Sequence, residues 1–210
     1  MNDPLRSKAK EIIAILCEIP EVNHCAIYGS LSTGTDDALS DIDINVDVSG
    51  VDNGQFMLRL VGLLQKKLRI CYHDYAPSLI PDQYIVSVAI DERNPFLLVD
   101  LQCSAEPHCM TVTKRQVACM NHEFTHLLKL WTANVKHCAR GAACRDDIIR
   151  MAGKLRLDGM ETKSEVELLE ETLRWLERNA PDELIPFVAS CRKNFHERFD
   201  IVENGASSRV

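Results

Sequence analysis

The sequence predicts an α+β protein: a mixed β-sheet with flanking helices over residues 1–107, then a helical bundle over 108–210. Three observations predict it. Period-two apolar alternation, the mark of a half-buried strand, is concentrated before about residue 105. Apolar residues spaced by three and four dominate everything after about 114. Between the two lies SAEPHCMTVTK (104–114), which carries neither pattern and reads as a linker.

The elements follow in order. Asp3-Pro4 opens a helix, with the aspartate as N-cap and the proline in the first turn. Ile12, Ile13, Leu16 and Ile19 continue it to Pro20. HCAIY (24–28) is a short strand broken at Gly29-Ser30, and a short turn or helix stops near Gly34. IDINVDV (42–48) alternates strictly, with Ile42, Ile44, Val46 and Val48 on one face and Asp43, Asn45 and Asp47 on the other. Residues 54–69 form a helix on the stripe Phe56, Leu60, Leu63, Leu64 and Leu68. ICYHDY (70–75), QYIVSVAI (83–90) and FLLVDLQCS (96–104) are strands, the last two joined by the turn DERNP. Two helix-separated strands and then a run of strands give a mixed sheet.

Beyond the linker, Val117, Met120, Phe124, Leu127, Trp131, Val135 and Cys138 predict one long helix, broken at Gly141. A helix over about 145–156 follows. Thr162 with Glu165 fits a capping box opening a helix on Val166, Leu169, Leu173 and Leu176. Pro181 starts the last one, with Leu184, Val188, Cys191, Phe195 and Phe199, and ENGASSRV is a frayed tail.

Composition narrows the function classes. With 210 residues the chain suits one or two domains, and its 46% apolar and 26% charged content is that of a soluble globular protein. Apolar runs are far shorter than a membrane span, and no signal-peptide core stands at the N-terminus. Nine scattered cysteines, odd in number and without CxxC spacing, predict reduced thiols and a cytoplasmic location. The formal net charge of −7 argues against a general nucleic-acid binder or a template-dependent polymerase. Residues 1–105 hold 8 basic against 15 acidic residues, while 110–156 hold 9 against 3. That balance suits either a polyanionic ligand with bound divalent metal or two plainly solvated faces.

The chemistry concentrates in YGSLSTGTDDALSDIDINVDV (28–48), which places Asp36, Asp37, Asp41 and Asp43 within eight positions. Asp36 and Asp37 read as solvated turn residues. Asp41 and Asp43 begin a strand, where residues i and i+2 share a face about 6.5–7 Å apart; on a helix they would diverge by about 200°. Converging carboxylates raise each other's pKa unless a cation sits between them, and divalent ions about 3.5–4 Å apart can be held by such groups. Asp100, alone inside FLLVDLQ, is unfavourable there without a partner and is the candidate third acid. Gly29-Ser30, where a strand meets a short helix, lets a phosphate approach outward backbone N–H groups.

This constellation (Gly29-Ser30, then Ser40-Asp41-Ile42-Asp43-Ile44, then Asp100) resembles the nucleotidyltransferase superfamily typified by DNA polymerase beta. Within it, an α/β unit followed by a helical domain resembles the small antibiotic adenylyltransferases that act on aminoglycosides or lincosamides. The resemblance implies that two Mg²⁺ ions, held by Asp41, Asp43 and Asp100, assist transfer of a nucleoside monophosphate to an acceptor hydroxyl, with release of pyrophosphate. It implies ATP as co-substrate and AMP as the group moved, although nothing in the sequence selects adenine. Gly29, Ser30 and Ser40 would then meet the nucleotide. The partners are an NTP and a small-molecule acceptor, with no stable nucleic acid, no membrane and room for a homodimer. A protein-adenylylating enzyme of toxin–antitoxin type and an inactive nucleotide-binding module are the alternatives. Antibiotic resistance is the physiological role that the first reading suggests.

HEFTH (122–126) matches the HExxH zinc-protease pattern, but the longer form needs Gly and His where Lys129 and Thr132 stand. Opposite the apolar stripe of the same helix lie His122, His126, Lys129, Lys136, His137 and Arg140. That face is either solvated or lines a cleft, where Lys129, Lys136 and Arg140 would bind the nucleotide. The general base is then Asp100, Glu123 or a histidine.

Overall fold

The computed structural model describes residues 4–77, 83–108, 111–157 and 159–201. Asp3 and the tail lie outside the described residues. The class is α+β, and the chain divides into two compact units, one reaching to Lys129 and the other starting at Leu130. The sequence suggests a boundary at 107/108. The difference has a local cause: Asn121, His126 and Lys129 bond to strand β3.

The first unit is built on a five-stranded sheet. Its strands are β1 (His24–Tyr28), β2 (Ile42–Asp47), β3 (Tyr72–Pro77), β4 (Tyr84–Ala89) and β5 (Leu98–Ser104). Their spatial order is β1-β2-β5-β4-β3. The β2–β5 pair is parallel and the others are antiparallel, so the sheet is mixed as expected. β5 lies between β2 and β4, which brings Asp100 beside the strand that carries Asp43.

One face of the sheet is the core. Ile42, Ile44 and Val46 of β2, Val86 and Val88 of β4 and Val99 and Leu101 of β5 are all buried there. Helix α1 (Pro4–Leu16) adds Ala9, Ile12 and Leu16, and helix α3 (Asn53–Leu64) adds Phe56, Met57, Leu60, Val61 and Leu64. Pro4 opens α1, which ends four residues before Pro20. Asp52 caps α3 by accepting from the Gln55 N–H at 2.9 Å, and its other oxygen accepts from the Thr111 N–H. The opposite face of the sheet carries the polar half of the alternation, Asp43, Asn45 and Asp47.

Helix α2 (Gly29–Thr33) ends, as expected, at Gly34, whose φ of 73° is left-handed. The long helix expected over 117–138 is two helices, α4 (Lys114–Ala118) and α5 (Glu123–Ala139). A Thr113–Gln116 capping box opens α4. The break between them is a hydrogen-bonding event. The Asn121 amide accepts from the Tyr75 N–H at 2.7 Å and donates to the Tyr75 carbonyl at 2.8 Å, completing the outer edge of β3. Met120, counted in the apolar stripe, is 58% exposed in consequence.

The second unit contains α6 (Arg145–Lys154), α7 (Glu165–Asn179), a 3₁₀ turn (Asp182–Leu184) and α8 (Ile185–Arg198), with the later turns of α5. Trp131 is its largest buried side chain. Its indole N–H donates to the Leu169 carbonyl at 2.9 Å, and its ring lies 5.6 Å from that of Phe195. The box that opens α7 is Ser164 with Glu167, not Thr162 with Glu165; Thr162 bonds back to the Gly159 carbonyl. Arg192 of α8 reaches Glu170 and Glu177 of α7. Among the described residues no helix is long and apolar enough to cross a membrane.

Candidate functional site

Paired residues on neighbouring strands point to the same face of a sheet. The register therefore lines up five side chains across all five strands. Tyr28 pairs with Asp43, Asp43 with Asp100, Asp100 with Ser87, and Ser87 with Asp74. This row lies on the face away from the hydrophobic core. It holds two of the three predicted acids, Asp43 and Asp100, on adjacent strands about 4.8 Å apart.

Gly29 is built against that row. Its φ is +66°, and a Cβ placed on it would stand 2.2 Å from Asp43 Oδ2. Only glycine fits both the backbone conformation and the approach. The first turn of α2 starts at this point, with no side chain capping its N–H groups. Ser30 is half-buried in that turn. Burial first, and the facing carboxylates of Asp43 and Asp100 second, push the Tyr28 phenol well above its ordinary range. The tyrosine is thus a neutral hydroxyl beside the acid pair.

Asp41, two residues before Asp43, is turned to the backbone: its Oδ1 accepts from the Leu98 N–H at 3.3 Å. The oxygens of Asp41, Asp43 and Asp100 do not all fall within 4.8 Å of one another. Asp100 accepts from the Ser87 hydroxyl, and among the described residues no cation pairs with it. The donor set is carboxylate oxygen throughout, which suits Mg²⁺. Asp43 and Asp100, side by side, are a donor pair that a divalent cation would fit, and the structure does not bring Asp41 together with them as the sequence suggests.

The far end of the row is different in kind. Asp74 is 1% exposed and is held by His126 Nδ1 at 3.2 Å and by Lys129 Nζ at 3.5 Å. Lys129, expected at the nucleotide, is paired here, and so is one histidine of HEFTH. The other histidine, His122, accepts the Phe124 N–H through Nδ1 at 3.3 Å and so caps α5. HEFTH therefore serves to start a helix and to place a histidine ring against Asp74.

The remaining predicted residues each have their own local setting. Ser40 is buried, donates to Asp37 Oδ1 at 3.0 Å and accepts from the Asp37 N–H at 2.9 Å, which shapes the loop leading into Asp41. Asp36 lies 3.8 Å from Arg6. Lys136, buried, and Arg140, exposed, belong to the second unit. Three members of the row were not singled out from sequence: Tyr28, Ser87 and Asp74. Asp74 carries the same signal as Asp100, a lone aspartate in a strand-forming stretch.

Further along the same face of β2, towards Asp47, opens a cleft of about 1020 Å³ whose lining does not include Asp43 or Asp100. Its lining includes Asn45 and Asp47, with His24, Ser104, Glu106 and His108. Asn45 follows Asp43 by one same-face step, about 6.8 Å.

No protein-family model matches the chain, and no curated protein matches it. Among solved structures it is similar to a chain of the GLD-2/RNP-8 complex, at 15% identity over 100% of this chain and 68% of that one, with a TM-score of 0.37. A likeness that distant carries no argument about activity.

Proposed function

We propose that the chain is a nucleotidyltransferase that moves a nucleoside monophosphate, AMP from ATP in the simplest case, to a hydroxyl of a small molecule. The observation that carries the proposal is the pairing of Asp43 with Asp100 under Gly29. Two carboxylates are set side by side on a sheet face, and a glycine that opens a short helix packs against the first of them. Such a site repels anions unless a divalent cation accompanies them, so a metal-bound triphosphate is the ligand it favours. Bound divalent ions would polarise the α-phosphate and lower the pKa of the acceptor hydroxyl.

The chain's own residues then have distinct tasks. Asp43 and Asp100 bind the cation. Ser87 holds the Asp100 carboxylate by hydrogen bonding, which fixes its orientation. Gly29 and Ser30 leave room and N–H donors for phosphate oxygens. Asp100 or a neighbouring base accepts the proton of the acceptor hydroxyl. The cleft lined by Asp47 and Glu106 gives the acceptor a carboxylate-bearing wall, which favours a cationic molecule such as an aminoglycoside. A role in antibiotic resistance would follow from such an acceptor.

The test is transfer of label from α-³²P-labelled NTPs, with Mg²⁺, to a panel of aminoglycosides, lincosamides and neutral polyols. The proposal expects a labelled small molecule with at least one acceptor. Label found only on protein would replace it with the protein-modifying reading. Nucleotide binding with no transfer and no pyrophosphate would replace it with an inactive binding module.

A further inference from the structure

We propose that Cys138, Cys144 and Glu165 form a zinc site that ties together the ends of three helices in the second unit. It is independent of the transferase reading, and its tests do not read activity.

The three side chains come from separate elements. Cys138 is the penultimate residue of α5, Cys144 is the N-cap of α6, and Glu165 is the first residue of α7. One ligand atom from each lies within 4.8 Å of the other two, the only such group of three or more metal-ligating side chains among the described residues. Cys144 is buried at 1% exposure, while Cys138 and Glu165 are half-buried, so the group is enclosed on one side and open on the other. Among the described residues no cation pairs with Glu165. Thiols are weak hydrogen-bond donors, so they compensate a half-buried carboxylate poorly, whereas a dication shared by all three groups would compensate it well.

The local backbone is organised to bring these atoms together. Gly141, at φ +67°, reverses the chain after α5. The Ala142 N–H bonds the His137 carbonyl and the Gly141 N–H bonds the Cys138 carbonyl, a Schellman closure that returns Cys144 towards Cys138. The Arg145 guanidinium, next to Cys144, donates to the carbonyls of Met160, Glu161 and Lys163. That clamp fixes the segment leading into Glu165.

Chemistry selects the ion. Two sulfurs and one carboxylate oxygen suit a borderline-soft dication, and three protein ligands with water in the fourth position is a common zinc arrangement. Zinc takes cysteine as thiolate, so binding would displace the thiol protons.

The experiment uses the full chain. Zinc content is measured after dialysis, thermal stability is read with added Zn²⁺ and with a chelator, and Co²⁺ is titrated into the metal-free protein. The inference expects about one zinc per chain, a higher Tm with Zn²⁺ and a thiolate-to-cobalt charge-transfer band. That band is lost in C138S and C144S and weakened in E165Q. X-ray absorption at the zinc edge of the unsubstituted protein, which does not depend on any variant folding, should count two sulfur ligands. A Tm indifferent to zinc and chelator, a band that survives C138S and C144S, any other sulfur count, or a Cys138–Cys144 disulfide in the native protein would overturn it.

Discussion

At the residue scale, Gly29 and Asp74 state the logic of the acid row most clearly. Gly29→Ala puts a methyl into the Asp43 carboxylate and forces a left-handed backbone on a residue that resists it. We expect a loss of at least about 1 kcal/mol in stability, read by denaturant unfolding, with transfer falling more than the stability loss explains. Asp74 needs the Lys129 ammonium because it is buried. Lys129→Ala should cost about 3 kcal/mol, the order found when one partner of a buried ion pair is removed, and should be partly relieved by a second change, Asp74→Asn. If the single and double variants are equally destabilised, the Asp74–Lys129 pair does not act as described. Asp43 and Asp100 stand out in the sequence because an aspartate in a strand is conspicuous, whereas Asp41 lies just before β2 and accepts from the Leu98 N–H. The sequence could not show that Lys129 is committed to Asp74, because that pairing depends on where α5 starts.

At the element scale, the differences from expectation lie at helix ends. Apolar spacing from Val117 to Cys138 is continuous, so the pattern alone reads one helix. Asn121 interrupts it because two hydrogen bonds to the edge of β3 outweigh one more turn of helix. The capping box of α7 slipped by two residues for a similar reason: Thr162 had a competing acceptor in Gly159. Pairing between α7 and α8 gives a prediction with a definite sign. Burial alone would raise the Glu170 carboxyl, but hydrogen bonds from Arg192 and His196 and their positive charges outweigh it and hold it below its ordinary value of 4.5. A depressed carboxylate contributes stability above the unfolded-state pKa and loses it as pH falls through the folded-state pKa. Glu170→Gln should therefore lower stability near neutrality and flatten its decline below about pH 4.5. A variant with an unchanged acid limb in pH-dependent melting would show that Glu170 is not part of the acid transition.

At the scale of the whole molecule, the strand order was not legible, since a one-dimensional pattern does not say that β5 inserts between β2 and β4. That insertion is what makes Asp43 and Asp100 neighbours although 57 positions separate them in the chain. The extent of the first unit also exceeds what the linker suggested. A fragment ending at residue 107 would leave Asp74 without His126 and Lys129 and the β3 edge without Asn121. It should fail to give a cooperative melt, whereas a fragment ending at Lys129 should melt cooperatively. The central claim is that Asp43 and Asp100 together bind the cation of a nucleoside triphosphate. Its most direct measurement is Mg²⁺-dependent pyrophosphate release by the intact chain, by Asp43→Asn and by Asp100→Asn, each checked for an unchanged melting curve. Loss of a metal ligand should cost more than the roughly 10–100-fold expected of a supporting residue, so both variants should fall by over about 100-fold while still folding. Release that persists in either folded variant, or that does not depend on Mg²⁺, would contradict the account.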